Sequence, residues 1–294
     1  MAAVPNAMPI DEARTRSLFK KLDRTARKVS SDSSPEDVHQ LRTTIRRIEA
    51  IMEELVPDPA RSERKLLKQL ARLRKRAGHV RDMDVQLAAL RTLRIGDDSE
   101  QKRQLLGALA ARRDKWSKKL SSVLDKDDKK FRKNLRRTAR EPALYGRKFE
   151  PVLNSLRMFA QLSRTQGPAT EDVLHQYRVR SKRIRYVAEM AGYTPEAKAV
   201  LAPLKKLQDA IGEWHDWDEL KKRAAGMFSQ SRSSALQNVL RAVTSTKLND
   251  ARRVAEEAKS ALLAIYQNML AAKPIKKVAR AEAPASVARI AASA

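Results

Sequence analysis

The chain has 294 residues, carries 62 Lys and Arg against 35 Asp and Glu for a net charge of +27, and contains no cysteine. Disulfides, thiolate metal sites and cysteine nucleophiles are therefore excluded, and so large a cationic surplus points to an anionic partner: nucleic acid, an acidic membrane or an inorganic polyanion. The hydrophobic fraction of 42% suffices for real cores, while no apolar run approaches the roughly 18 to 20 residues that span a bilayer.

The first sixteen residues lack the charged-then-apolar layout of a signal peptide, so a cytoplasmic protein is expected. Only 8 glycines occur, Ala, Leu, Lys, Arg, Glu and Gln dominate, and no convincing strand pattern is present. From Leu67 the residues Leu70, Leu73, Ala77, Val80, Leu87 and Leu90 recur mostly at steps of three and four, one face of a helix. The first half predicts helices over about 11–29, 35–56, 60–94 and 100–140. Ser34 is the N-cap of the second, with Pro35 at its first position, Glu36 and Asp37 at its positive end, and Pro57 and Pro59 closing it. The second half predicts helices over about 147–165, 171–192, 196–226 and 232–272. There Thr170 is the N-cap before Glu171 and Asp172, and Gly192 with Pro195 ends the helix. Glu141-Pro142-Ala143-Leu144-Tyr145-Gly146 reads as the junction, and 273–294 as a disordered basic tail. The expectation is an all-α chain of two tandem antiparallel four-helix bundles, one over about 11–140 and one over about 147–272.

Two landmarks occur twice. Val38-His39-Gln40-Leu41-Arg42, followed by Arg46-Arg47-Ile48, returns as Leu174-His175-Gln176-Tyr177-Arg178, followed by Lys182-Arg183-Ile184. Gly78-x3-Asp82-x-Asp84 returns as Gly212-x3-Asp216-x-Asp218. The same order at nearly the same offset defines a tandem duplication. On a helical wheel His39, Arg42 and Arg46 form one stripe opposite Leu41, Ile45, Ile48, Met52 and Leu55. His175, Arg178, Lys182 and Arg185 form its twin, backed by Tyr177, Ile184, Ala188 and Ala191, with Arg47 and Arg183 flanking the stripes. A solvated helix face normally mixes charge signs; these stay cationic over two turns, with Glu49, Glu53 and Glu189 only towards the end. Each helix would present its stripe outwards while its aliphatic face packs inwards. The third helices add Lys65, Lys68, Arg72, Lys75 and Arg76 in one copy and Lys198, Lys205 and Lys206 in the other. Arginine offers two parallel donors to phosphate, lysine a point charge, and a histidine beside dense phosphate is favoured as a cation.

The doubled H-x2-R-x3-[RK]-R helix with its G-x3-D-x-D element resembles the CHAD family, the conserved histidine α-helical domain, over about residues 11–272. The resemblance implies two four-helix repeats about a pseudo-two-fold axis, their basic helices facing a shared central groove or pore. It also implies binding of inorganic polyphosphate and location at polyphosphate granules; a scaffold that recruits granule-associated proteins is a third reading, compatible with that binding. The implied contacts are His39, Arg42, Arg46 and Arg47 with Arg72, and His175, Arg178, Lys182 and Arg183 with Lys205 and Lys206; Arg185, from the helical stripe, completes the candidate set. Some relatives join this module to a triphosphate-hydrolysing tunnel, but no ExExK signature occurs here.

No cofactor is expected. His215-Asp216 resembles the HD pair of metal-dependent phosphohydrolases, yet the first copy reads Arg81-Asp82, so no metal site is expected. Asp82 and Asp84, like Asp216 and Asp218, point about 200° apart on a helix and suit anchoring a basic neighbour better than chelating one ion. His79, outside the stripes, reads as structural. With no nucleotide-binding loop and no nucleophile paired with a base, a non-enzymatic protein is expected. The competing reading is RNA binding through the same surface, disfavoured by an aromatic content of 4% and only Tyr177 and Tyr186 among the basic residues. A membrane role is disfavoured because the basic helices would have to expose the aliphatic faces their bundles need.

Overall fold

Local chemistry sets where the helices begin and end. In the computed structural model, which describes residues 12–95, 100–141, 149–164, 169–229 and 234–272, these are α1 Glu12–Ser31, α2 Pro35–Leu55, α3 Arg61–Thr92, α4 Glu100–Thr138, α5 Pro151–Arg164, α6 Glu171–Glu189, α7 Pro195–Met227 and α8 Ala235–Ala271. The expected junction at 142–146 and the tail at 273–294 lie outside the described residues. No strand occurs among those described.

Ser34 caps α2 by accepting from the Asp37 N–H at 3.1 Å, and Thr170 caps α6 by accepting from Val173 at 3.3 Å. Three boundaries differ by three or four residues from the sequence expectation: α5 starts at Pro151 rather than about 147, with residues 149 and 150 outside the helix, and the other two have local causes. The α-helix of α6 stops at Glu189, because the N–H groups of Met190, Ala191 and Gly192 turn to carbonyls three residues back and Gly192 then takes a φ of 75°. α8 starts at Ala235, where Ser234 accepts from Gln237 at 3.2 Å.

Within α1–α4 each helix packs on the next and α4 closes on α1; α5–α8 repeat that order. One core gathers Leu22, Leu41, Ile45, Ile48, Leu66, Leu70 and Leu120 from the first four helices. A second gathers Phe159, Tyr177, Ile184, Leu204 and Leu207 with small residues of α8. The two sets meet in two places. α2 packs on α6, with Val187 entering the first core. Farther along, the ends of α3 and α7 join the beginnings of α4 and α8 in a third cluster built on Met83, Leu87, Leu109, Leu220 and Leu240. Between these two contacts lie the repeated motifs.

Candidate functional site

Along α2 the charged residues His39, Arg42 and Arg46 climb one face at about 4.5 and 6 Å per step. On α6, His175, Arg178 and Lys182 do the same. The aliphatic residues on the opposite faces are sealed: Leu41, Ile45, Ile48 and Leu174 have no exposed surface, and Ile184 has 2%. The stripes thus point away from their own bundles but towards the other half of the molecule. This corrects the expectation of an open outward face: Arg42, Arg46, Arg178 and Lys182 are half-buried, whereas His39 and His175 stay exposed.

The third helix of each half supplies the carboxylates. Gly78 and Asp82 lie one turn apart on α3, and Arg42 donates from Nη1 to Asp82 Oδ1 at 3.2 Å. Its guanidinium rests against Gly78, where a Cβ would stand 3.7 Å from Cζ, an ordinary contact that an alanine would satisfy. Asp216 is the matching carboxylate on α7 and acts on Arg178 and Lys182. Next to it, His215 faces His175 with ring centroids 6.0 Å apart. Asp82 therefore holds a basic neighbour, as anticipated, whereas Asp216 acts on Arg178 and Lys182 only through its field, with neither at ion-pair distance. The second aspartates do not join them: Asp84 is bound by Arg113 at 2.8 Å and Asp218 by Lys221 and Lys222. His79 stacks on Trp116 at 4.1 Å.

Electrostatically the cluster is strained by like charge. Burial, reinforced by Arg178, Arg46 and Arg42, pushes the Lys182 ammonium down to about 7. Burial and Arg42 bring Arg46 down to about 10, and burial lowers Arg178 against the pull of Asp216. Burial raises Asp216 to about 6 and depresses His215 to about 4, the latter with help from Arg178. His39 is lowered by burial and by Arg81. Among the described residues, Arg46, Arg178 and Lys182 have no carboxylate at ion-pair distance, and Arg178 Nε is buried without a hydrogen-bond partner.

Not every residue of the expected site joins this cluster. Arg47 donates to Glu189 at 2.7 Å, Arg183 reaches Glu54 at 2.6 Å and Glu53 at 3.2 Å, and Arg185 lies 3.3 Å from Glu189. The pairs of Arg47 and Arg183 cross between the halves, so these two guanidiniums join α2 to α6, and Arg185 is drawn to the same glutamate. Arg72, Lys205 and Lys206 are exposed on α3 and α7, with Lys205 turned to Asp209 at 2.9 Å. Conversely, the sequence reading did not include Arg74, Arg81, Arg223 or the two aspartates, all of which act on the cluster or its border. Extending the Gly78–Asp82 face back by one turn reaches Arg74, which was the available signal.

A crowded cationic cluster destabilises the free protein, and this is testable. Lys182→Met should raise the unfolding midpoint by about 2–5 °C at pH 6.5, corresponding to about 1–2 kcal/mol for a protein of this size. Lys182 titrates near 7 when folded and near 10.5 otherwise. Its cost is therefore fully present below pH 7 and fades as pH rises towards 10.5. The gap between variant and wild type should close along that window in thermal scans; a gap independent of pH would assign the effect to packing.

Among the described residues no helix is long and apolar enough to cross a membrane, and no group of three or more His, Asp or Glu could hold a metal ion. The chain is similar to the crystal structure of the CHAD domain from the plant Ricinus communis, with a TM-score of 0.67 and 17% identity over 90% of this chain and 95% of that one. It is also similar to PptA from Streptomyces chartreusis, with a TM-score of 0.56 and 17% identity over 88% of this chain and 100% of that one. No curated protein matches. The sequence model of the CHAD domain matches residues 13–225, most of the chain and both copies of the histidine helix, and on that match the protein belongs to the CHAD family.

Proposed function

We propose that this protein binds inorganic polyphosphate without transforming it, holding the polymer against Arg42, Arg46, Arg178 and Lys182, and that binding brings it to polyphosphate granules. The observation that carries this reading is the set of three half-buried cations, Arg46, Arg178 and Lys182, left without carboxylate partners where the two halves meet. Cations crowded together at the cost of stability are stabilised by a ligand that brings dense negative charge. Polyphosphate supplies that charge with no base or sugar to accommodate.

The aromatic residues support polyphosphate over RNA. Tyr177 and Tyr186 are only 3% and 6% exposed. Tyr186 is flanked by Arg185 and Arg47, whose guanidinium carbons lie 5.2 and 6.0 Å from the ring centre. Neither offers a base a stacking platform.

The test is a competition at matched phosphate concentration and about 150 mM salt, the condition at which counterion release separates multi-contact from casual binding. Long-chain polyphosphate should displace labelled RNA and DNA, and its own affinity should fall steeply with added salt. Displacement of polyphosphate by RNA at equal phosphate would replace this reading with the nucleic-acid one.

A further inference from the structure

The duplication is not symmetric in charge. α4 carries fourteen Lys and Arg against five Asp and Glu, whereas its counterpart α8 carries five against three. The excess on α4 is sorted by face. Leu105, Leu109, Leu120, Leu124, Phe131 and Leu135 are buried. The cations on their side are tied down, Arg113 to Asp84 at 2.8 Å and Arg132 to Asp23 at 3.3 Å. The opposite face carries Lys126, Lys129, Lys133, Arg136, Arg137 and Arg140, all exposed and, among the described residues, with no carboxylate at ion-pair distance. It begins three turns earlier with Lys115, followed by Lys118, so from Lys115 to Arg137 the stripe runs about 33 Å along a single helix, with Arg140 just past its end. On α8 the exposed face is near neutral, and Arg253 there is held between Asp250 and Glu257 at 2.5 and 2.6 Å.

α4 packs on α1 and α3, with its stripe facing away from the cluster that α2, α3, α6 and α7 enclose. A polymer segment in the cluster therefore leaves the stripe open to another. We infer that the outer face of α4 is a second polyanion site, weaker than the first, which takes a separate strand of polyphosphate, so that one molecule joins two strands. This rests on the proposed function above. The occupant follows from the shape of the charge. The stripe is straight and about 100° wide, its C-terminal cations line a shallow open concavity with Glu141 at the edge, and it suits a flexible chain with one charge per repeat unit. Duplex nucleic acid would be gripped by cations on both sides of a groove, and single strands by aromatic platforms, neither of which the stripe has. Exposed lysines and arginines lose more side-chain freedom on contact than the half-buried groups of the cluster, which makes the stripe the weaker site.

The experiment titrates the full chain calorimetrically with a short polyphosphate and compares three proteins. Wild type should show a tight and a weak class of site. Lys129→Gln, Lys133→Gln, Arg136→Gln and Arg137→Gln combined should weaken the second class at least about tenfold while leaving the tight class within about threefold, since each lost phosphate contact also removes a released counterion. Glutamine keeps the helix propensity, which far-UV circular dichroism verifies. The same variant should no longer pellet long-chain polyphosphate into cross-linked particles. Arg42→Gln, Arg46→Gln and Lys182→Gln combined should do the reverse, removing the tight class and sparing the weak one. Survival of both classes in the stripe variant overturns the second site, as does preferential occupation of the weak class by RNA at equal phosphate. Survival of the tight class in the cluster variant counts instead against the proposed function, and the stripe result is then read from the weak class by itself.

Discussion

Replacing Arg42, Arg46 and Lys182 together by Gln is expected to lower polyphosphate affinity at least about a hundredfold, since a well-formed charged hydrogen bond contributes about 1.5–3 kcal/mol and such terms are not fully additive. Deleting residues 274–294 removes Lys276, Lys277, Arg280 and Arg289 against Glu282, which is also a net loss of three positive charges. That deletion should cost only a few-fold. If attraction at long range were the whole effect, the two proteins would behave alike. They should not, because the three cluster residues are half-buried on helices whose opposite faces are sealed, so little freedom remains to be lost when phosphate arrives. Titrations at matched salt, with helicity measured in both proteins, decide the matter. Equal losses would dispose of a shaped site.

The second large effect is on pH. Affinity should fall at least about tenfold between pH 5.5 and 8.5, the loss expected when two charges in one site change in the same unfavourable direction. Lys182 meets Arg42 and Arg46 from α2 and Arg178 on its own helix, and Asp216 from α7 opposes them; burial is the largest influence and brings it to about 7. Above that value the empty site has lost a proton that bound phosphate would restore, so binding must draw one from solution. Asp216, raised to about 6 chiefly by burial, is neutral in acid and becomes a carboxylate facing the anion as pH rises. His39, lowered by burial, Arg81, Arg42 and Arg185 against the pull of Glu36, adds its loss of charge on the acid side of its usual range. Lys182→Arg should flatten the alkaline part of the profile. Asp216→Asn should flatten the acid part and tighten binding at pH 7.5. A profile unchanged by both, but abolished by His39→Gln with His175→Gln, would return control to the histidines, as the sequence alone suggests.

Local signals made the helices legible. Ser34, Thr170 and Pro35 act on their own neighbours, and their effect needs no knowledge of the fold. Duplication made the core of the site legible as well, since His39, Arg42, Arg46 and their twins recur with a spacing that only a shared helical face explains. What a wheel drawn for one helix does not give is the partner that its face will meet. Arg46 and Arg47 are adjacent, yet 100° apart on α2, and that angle sends one to the cluster and the other to Glu189 of α6. Arg183 is separated from Lys182 in the same way. Asp82 and Asp216 were recognised as anchors of basic residues, but only the docking of α3 and α7 places them inside the site. Arg72, Lys205 and Lys206 match the site in composition and differ from it only in facing solvent.

The two fastenings between the halves carry a kinetic consequence. On one side of the cluster Arg47–Glu189 and Arg183–Glu54 hold α2 to α6. On the other, Met83 and Leu87 lock the first half to Leu220 and Leu240 of the second. If polyphosphate occupies the cluster as proposed, contacts on both flanks oppose its release by the halves swinging apart. A polymer held there moves by sliding along its own length, and because successive phosphates are chemically identical, each step exchanges one set of contacts for an equal one. Travel along the strand is then easy while escape waits for an end to arrive, so residence time should lengthen with the number of phosphates even where the strength of each contact does not change.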